Sequence, residues 1–268
     1  MRFVTTPSRI WLREAIASCR NEIIVASPFV GTAFNLEIKS LPARVHRKLI
    51  TRTELTTFAS RASDLESLIQ FSEEGGEVRS LPGLHAKVYL IDRTVALVTS
   101  ANATFSGLNR NWECGVVIED AAQVSELAQL MNDGFGAPVV PQRWASTELK
   151  SLRNAVQNLQ KTPLFAGTSR PAQSGDSAEA ELSVAALQQV SSALPGWTQM
   201  TMRAIFALKT TEFEIKEVYR TGLPLARLQY PQNNSPREKL RQQLQRLRDL
   251  GILEFLGGGR YRLLAQEL

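Results

Sequence analysis

Residues 85–102 read His-Ala-Lys-Val-Tyr-Leu-Ile-Asp-Arg-Thr-Val-Ala-Leu-Val-Thr-Ser-Ala-Asn. Two apolar, β-prone runs, Ala86–Ile91 and Thr94–Ser100, flank Asp92-Arg93, which reads as a hairpin break between strands. Outward from this hairpin the alternation continues. Glu22–Val30 and Val45–Thr51 are β-rich runs suited to buried strands. Val78–Leu81 is a short strand before a turn at Pro82-Gly83, and Cys114–Ile118 is another strand. Helical spacing lies between them. Ile10–Arg20 repeats apolar residues through Ile10, Leu12, Ala15, Ile16 and Cys19. Ser63–Glu74 does so through Leu65, Leu68, Ile69 and Phe71, with Ser63 and Glu66 spaced as a capping box. Asp120 caps a helix through Met131 that ends near Gly134 and Gly136. Strands alternating with helices predict an α/β domain with a central mixed sheet, ending near residue 150.

The same stretch carries chemistry. On a strand, residues 85 and 87 point to one face, so His85 and Lys87 present an imidazole and an ammonium together. Phosphodiester cleavage needs a nucleophile, a proton donor for the leaving oxygen and positive charge on the non-bridging oxygens. His85 supplies the nucleophile. Lys87 and Asn102 hold the phosphate, and Ser100 adds a hydroxyl donor. Glu113 orients a histidine by accepting from its second nitrogen. Asp92, in the hairpin break, reads as structural.

The spacing His85-x-Lys87, four residues, Asp92, six residues, Thr99-Ser100-Ala101-Asn102, and then Asn111-Trp112-Glu113, resembles the phospholipase D superfamily pattern H-x-K-x4-D-x6-G-S-x-N with its downstream acidic residue. Thr99 stands where that family usually has glycine, a departure that removes no reactive group. The resemblance covers residues 5–135. It implies metal-independent chemistry with two histidines, one attacking phosphorus and one protonating the leaving group. This chain has one full motif. His46-Arg47-Lys48 is a second His-x-Lys, but Thr53 stands at the aspartate position and no Ser-x-Asn follows, so it reads as ordinary strand. The resemblance therefore implies a homodimer, the second histidine coming from another copy across a two-fold interface.

Residues 162–180 are rich in Pro, Gly, Ser and Ala and read as linker, followed by a short helix over Glu181–Leu194. Beyond it, Gln199–Leu208 and Thr211–Tyr219 read as short helices. Ser235-Pro236-Arg237-Glu238 reads as a capping box opening a helix whose Leu240, Leu244, Leu247 and Leu250 form one stripe. Gly251 stops it, and strands Ile252–Leu256 and Arg260–Leu264 join through Gly257-Gly258-Gly259. That order is a winged helix-turn-helix. The stretch over roughly 200–265 resembles the winged-helix family at the C-terminus of DpnI and the dam-replacing endonucleases, which implies binding of double-stranded DNA and a reader of N6-methyladenine in GATC. The helix face opposite the leucine stripe offers Arg237, Arg241, Gln242, Gln245 and Arg248. Gln can pair with adenine and Arg with guanine. Arg260 and Arg262 flank the glycine turn within reach of phosphate. Trp197, Tyr230 or Tyr261 could wall an N6-methyl group.

Composition sets the frame. The chain has 268 residues, 43% apolar and 21% charged, which excludes wholesale disorder, collagen and coiled coil. Residues 1–200 carry 19 basic and 19 acidic side chains, whereas residues 201–268 carry 12 and 7, so the whole excess of +5 sits in the last quarter. A neutral body with a basic end suits a part that meets a polyanion. Two cysteines, Cys19 and Cys114, read as reduced thiols of a cytoplasmic protein. No apolar run approaches the roughly 18 residues of a membrane span, no acidic cluster suits Mg²⁺, and no metal or cofactor is expected. The expected organisation is a nuclease domain at 1–160, a linker at 161–194 and a DNA-binding domain at 195–268. The sequence thus predicts a metal-independent, restriction-type DNA endonuclease. Its competitors are a phospholipase D-type lipid phosphodiesterase and a non-catalytic winged-helix regulator.

Overall fold

A computed structural model describes residues 2–166 and 182–266. In chain order the first elements are β1 (Arg2–Thr5), α1 (Arg9–Ser18), β2 (Glu22–Ala26), α2 (Thr32–Ile38), β3 (His46–Thr51), α3 (Leu55–Ala59), α4 (Leu65–Glu73) and β4 (Glu77–Ser80). Then come β5 (Val88–Ile91), β6 (Val95–Thr99), α5 (Phe105–Asn109), β7 (Cys114–Ile118), α6 (Ala121–Asp133), β8 (Gln142–Trp144), α7 (Ser146–Lys150) and α8 (Arg153–Gln160). The last are β9 (Leu182–Ser183), α9 (Val184–Ala193), α10 (Gly196–Phe206), β10 (Glu212–Glu214), α11 (Ile215–Gln229), α12 (Pro236–Asp249), β11 (Leu253–Gly257), β12 (Arg260–Leu263) and β13 (Ala265–Gln266). Among the described residues the chain divides into one compact unit of 2–52 and 61–150 and a second of 53–60, 151–166 and 182–266. Residues 167–181 of the expected linker lie outside the described residues.

The first unit is built on an eight-stranded mixed sheet of order β1-β7-β6-β5-β2-β3-β4-β8. β2, β3 and β4 run parallel and the remaining neighbours antiparallel. The central strands carry apolar residues on both faces because both faces are covered. Ile24, Ala26, Ile50, Leu90 and Ala96 pack with Val124, Ala128 and Met131 of α6. The alternate residues Ile23, Val25 and Leu49 are equally buried, with α1 against β5 and α4 against β4. Each large side chain so buried contributes about 1.5–3 kcal/mol relative to exposure.

Local chemistry sets the ends of these elements. Asp120 caps α6 by accepting from Gln123 N, and Gly134 closes it in the left-handed region at φ 80°. At α4 the cap is Asp64, which accepts from Glu66 N, and not the expected Ser63. Ser63 is instead buried and bonded in both directions to the backbone of Val30. The β5–β6 hairpin turns on Asp92 and Arg93, at φ 51° and 55°, with Thr94 N donating to Ile91 O at 3.0 Å. Two consecutive positive φ values match the strand twist, and aspartate tolerates that region.

The second unit holds a three-stranded sheet of order β10-β12-β11, with α10, α11 and α12 packed together. Leu240, Leu244, Leu247 and Leu250 of α12 are fully buried, as their spacing predicts. Gly222 permits the close crossing of these helices, since a Cβ there would meet Leu240 at 3.1 Å and Ala204 at 3.3 Å. The expected helix at Thr211–Tyr219 is corrected. Glu212–Glu214 is a strand, held by Phe213 opposite Tyr261, and a helix then runs from Ile215 to Gln229 through Pro224. A reciprocal capping box of Glu214 and Glu217 starts that helix. The capping box expected at Ser235 does not form, and Ser235 flanks α12 without a side-chain bond. Residues 53–60 belong to this unit: Leu55 N donates to Leu250 O at 3.1 Å, and Thr53 Oγ1 donates to Asp249 O at 3.1 Å. No helix among the described residues is long and apolar enough to cross a membrane.

Candidate functional site

His85, Lys87, Ser100, Asn102 and Glu113 lie just beyond the same ends of the three neighbouring strands β5, β6 and β7. β5 begins at Val88, so His85 and Lys87 immediately precede the strand instead of lying on it. The ladder reaches one residue further, because Thr99 N donates to Lys87 O at 3.0 Å. Lys87 is buried and curls back on its own segment. Its Nζ donates to His85 O at 2.8 Å and lies 3.4 Å from both ring nitrogens of His85. His85 itself is exposed. Burial holds the Lys87 ammonium below the ordinary lysine range. The nearby Glu113 carboxylate opposes that shift and Arg52 reinforces it.

Ser100 and Glu113 face each other across β6 and β7. Ser100 Oγ donates to Glu113 Oε2 and accepts from Cys114 N at 3.2 Å. Glu113 Oε1 accepts from Asn111 Nδ2 at 3.2 Å. Within one chain the Glu113 carboxylate thus accepts from a serine hydroxyl and an asparagine amide. Thr6, which the sequence reading passed over, closes this network. Its hydroxyl donates to Asn111 O and accepts from Glu113 N at 2.8 Å.

Asn102 is fixed through its backbone. Tyr89 Oη donates to Ala101 O at 3.0 Å, Ala103 N donates to Ser27 Oγ at 2.9 Å, and Gly31 N donates to Ala103 O at 2.9 Å. A Cβ on Gly107 would lie 2.5 Å from Asn102 O and 2.7 Å from Asn102 N, so only glycine lets α5 approach this closely. Asn102 Oδ1 is buried without a hydrogen-bond partner, one of three such side-chain atoms among the described residues. An unsatisfied buried polar atom costs about 1–3 kcal/mol; Oδ1 is an acceptor and takes a donor, so a phosphate oxygen would be met by the Nδ2 amide of Asn102 instead.

Two other positions of the pattern are explained by packing. Thr99 sits where the family pattern has glycine, yet it has ordinary strand backbone and its hydroxyl donates to Cys114 O at 3.1 Å. The small residue lies across the ladder: Gly115 faces Thr99, and a Cβ there would come within 2.7 Å of Thr99 Cβ. Asp92 sits at the opposite end of β5 from Lys87. Its carboxylate accepts from the backbone N–H groups of Arg20, Asn21 and Glu22 at 2.7–2.8 Å. Burial raises its pKa, but these three bonds outweigh burial and leave it below the usual range. His46 lies at the far edge, at the start of β3, 3.6 Å from Glu77. Among the described residues, no group of three His, Cys, Asp or Glu side chains is placed to hold a metal ion.

In the second unit, α12 presents Arg237, Arg241 and Gln242 as exposed and Gln245 as half-buried. Arg237 lies over the Tyr219 ring at 5.6 Å, and Gln242 accepts from Lys239 at 2.7 Å. Arg248 is corrected. It is buried, and its guanidinium donates to Asp249 Oδ1 at 2.7 Å. Arg262 is tied across the sheet to Glu212 and Glu254, whereas Arg260 is exposed beside the glycine turn. Tyr261 is a core residue, buried between Phe213 and Phe255. Trp197 and Tyr230 stack on each other at 4.4 Å.

Residues 12–135 match the family model described as cardiolipin synthase, PLD-like domain, and residues 194–263 match the Dam-replacing HTH domain. Among solved structures, the chain is similar to Nuc, a phospholipase D family member from Salmonella typhimurium. Identity is 17% with a TM-score of 0.47, over 54% of this chain and 97% of that one. NucT from Helicobacter pylori is 17% identical with a TM-score of 0.42, over 53% of this chain and all of that one. Phosphatidylserine synthase from Haemophilus influenzae is 17% identical with a TM-score of 0.44, over 56% of this chain and 40% of that one.

Proposed function

We propose that this chain, a phospholipase D-like domain joined to a Dam-replacing helix-turn-helix domain, is a DNA endonuclease of restriction type that works as a homodimer without metal. The observation that carries the reading is the arrangement at the strand ends: an exposed imidazole beside a buried ammonium that feels the Glu113 carboxylate, which in turn accepts from the Ser100 hydroxyl. His85 attacks phosphorus and forms a phosphohistidine as the P–O bond to the leaving strand breaks. The partner subunit's His85 gives its proton to that oxygen, then takes one from the water that hydrolyses the intermediate. The Lys87 ammonium and the Nδ2 amide of Asn102 donate to the non-bridging oxygens, and the lysine charge fixed there stabilises the transition state. Ser100 joins them when its hydroxyl leaves Glu113.

The helix-turn-helix domain directs this chemistry to duplex DNA. Arg237, Arg241, Gln242 and Gln245 meet the major groove, and Arg260 meets phosphate. N6-methyladenine in GATC is the proposed target. A methylated N6 keeps one N–H donor and adds an apolar group, so Gln242 or Gln245 accepts the hydrogen bond and the Trp197–Tyr230 stack is the candidate wall. A lipid phosphodiesterase would leave this basic domain without a task.

The test is cleavage of plasmid DNA in EDTA, with and without adenine methylation. The expected result is cutting of the methylated plasmid by the parent and none by His85→Ala, which still shifts the same DNA in a gel. Strong cutting by His85→Ala refutes the assigned nucleophile. Equal cutting of both plasmids removes methyl dependence alone, and loss of activity in EDTA removes metal independence.

A further inference from the structure

The connection between β6 and β7 carries a feature that the proposed chemistry leaves unused. Trp112 is 98% exposed. The other three tryptophans differ: Trp11 and Trp144 are buried, and Trp197 is half-buried in its stack with Tyr230. An indole is the largest apolar side chain and is highly buried on average, so full exposure calls for an explanation. A loosely held loop is not the explanation. Both neighbours of Trp112 are clamped, Asn111 through its carbonyl to Thr6 and Glu113 through its N–H to Thr6 at 2.8 Å. The Asn111 amide also bonds the Glu113 carboxylate. The backbone is fixed on each side, and the indole is held out into water between them.

The same connection holds two further groups. Phe105 is 49% exposed, and the Arg110 guanidinium lies over its ring at 4.9 Å. Asn102 precedes this stretch and Glu113 ends it, so two aromatic faces and a cation are carried by one short segment whose ends are both site residues. Bases offer π-faces and their backbone offers negative charge. Exposed aromatic rings interleaved with arginine are the chemistry that takes successive nucleotides of an unpaired strand.

We propose that Trp112, with Phe105 and Arg110, forms a stacking platform for nucleotides flanking the scissile phosphate once the duplex opens there and leaves them unpaired. The proposal rests on the nuclease reading above. Trp112 stacks on an adjacent base, and Arg110 meets the neighbouring phosphate while covering Phe105. The platform reads no sequence, because every base has a π-face; it sets how firmly the strand lies across His85 and Lys87.

The experiment uses the full chain carrying His85→Ala, so that the probe is not consumed, with and without Trp112→Phe. Tryptophan emission is followed while a short oligothymidylate is added. The expected result is quenching of a strongly solvated emission component that Trp112→Phe lacks. In the catalytically intact chain, Trp112→Ala is expected to raise KM for the oligonucleotide roughly five- to hundredfold. The fall in kcat is smaller, and Trp112→Phe recovers most of the affinity. Trp112 emission unmoved at saturating oligonucleotide, or an unchanged KM, overturns the platform. Sedimentation showing that Trp112→Ala dissociates the protein also overturns it, since the indole would then be a contact between copies. Quenching in a parent chain that never cleaves DNA supports the platform and defeats the nuclease reading instead.

Discussion

Lys87 shows how a single residue ties burial to activity. Its ammonium is enclosed near His85 and Glu113, and burial lowers its pKa from the ordinary lysine value. On the proposed reading, the charge that holds the phosphate is lost as pH rises through that lowered value. KM for DNA should therefore climb with pH below the range where a free lysine titrates. Lys87→Arg should move this alkaline limb upward and out of the accessible range, because guanidinium stays charged. KM measured against pH for both proteins checks it, and a limb that stays in place assigns the titration to another group. The candidate residues could be picked out by spacing alone, since His85, Lys87, Ser100, Asn102 and Glu113 stand at the intervals of the family pattern. Their support could not. Thr6 and Ser27 follow β1 and β2, far from the motif in sequence, and no local pattern links a hydroxyl at position 6 to a carbonyl at position 111.

Among the elements, the β5–β6 hairpin decides where Lys87 and Ser100 stand, and Asp92 anchors its far end. The backbone N–H groups of Arg20, Asn21 and Glu22, where the chain enters β2, all donate to this one carboxylate. Asp92→Asn, which cannot accept all three equally, should destabilise the fold by about 2–3 kcal/mol at neutral pH. The sign of the pH effect follows from the lowered folded-state pKa. The carboxylate's contribution is present above the unfolded-state pKa and is lost as pH falls through the folded value. The gap between parent and Asp92→Asn should thus narrow in acid. Urea unfolding at two pH values checks this, and a gap that widens in acid refutes it. Long elements with strong periodicity were legible here: β2, β3, α1, α4 and α6 lie within a few residues of their predicted bounds. Short ones were not. β10 has three residues, too few for a period of two, and it exists because Phe213 pairs with Tyr261 forty-eight positions later. The helix after it passes through Pro224, a residue that ordinarily argues against a helix interior.

For the whole molecule, the proposed chemistry requires two copies of His85 at one phosphate, and each chain supplies one. Light scattering is expected to find a dimer. Mixing an excess of His85→Ala chains into the parent and allowing exchange should reduce cleavage more steeply than simple dilution, because mixed dimers lack one histidine. An active monomer would remove the dimer from the reading. The division into an α/β part and a winged-helix part was legible from charge and periodicity. What no composition shift announces is that residues 53–60, between β3 and α4, belong with the C-terminal part. Thr53 and Leu55 bond the carbonyls of Asp249 and Leu250 just where α12 ends. The second part is therefore assembled from separate stretches of the chain. A transplant of residues 195–268 onto another nuclease would leave the end of α12 without the segment that covers it, and the nuclease left behind would keep an eight-residue stretch with nothing to join. The portable unit of this protein is a discontinuous one, so its helix-turn-helix part can be exchanged intact only by an exchange made at two places in the chain.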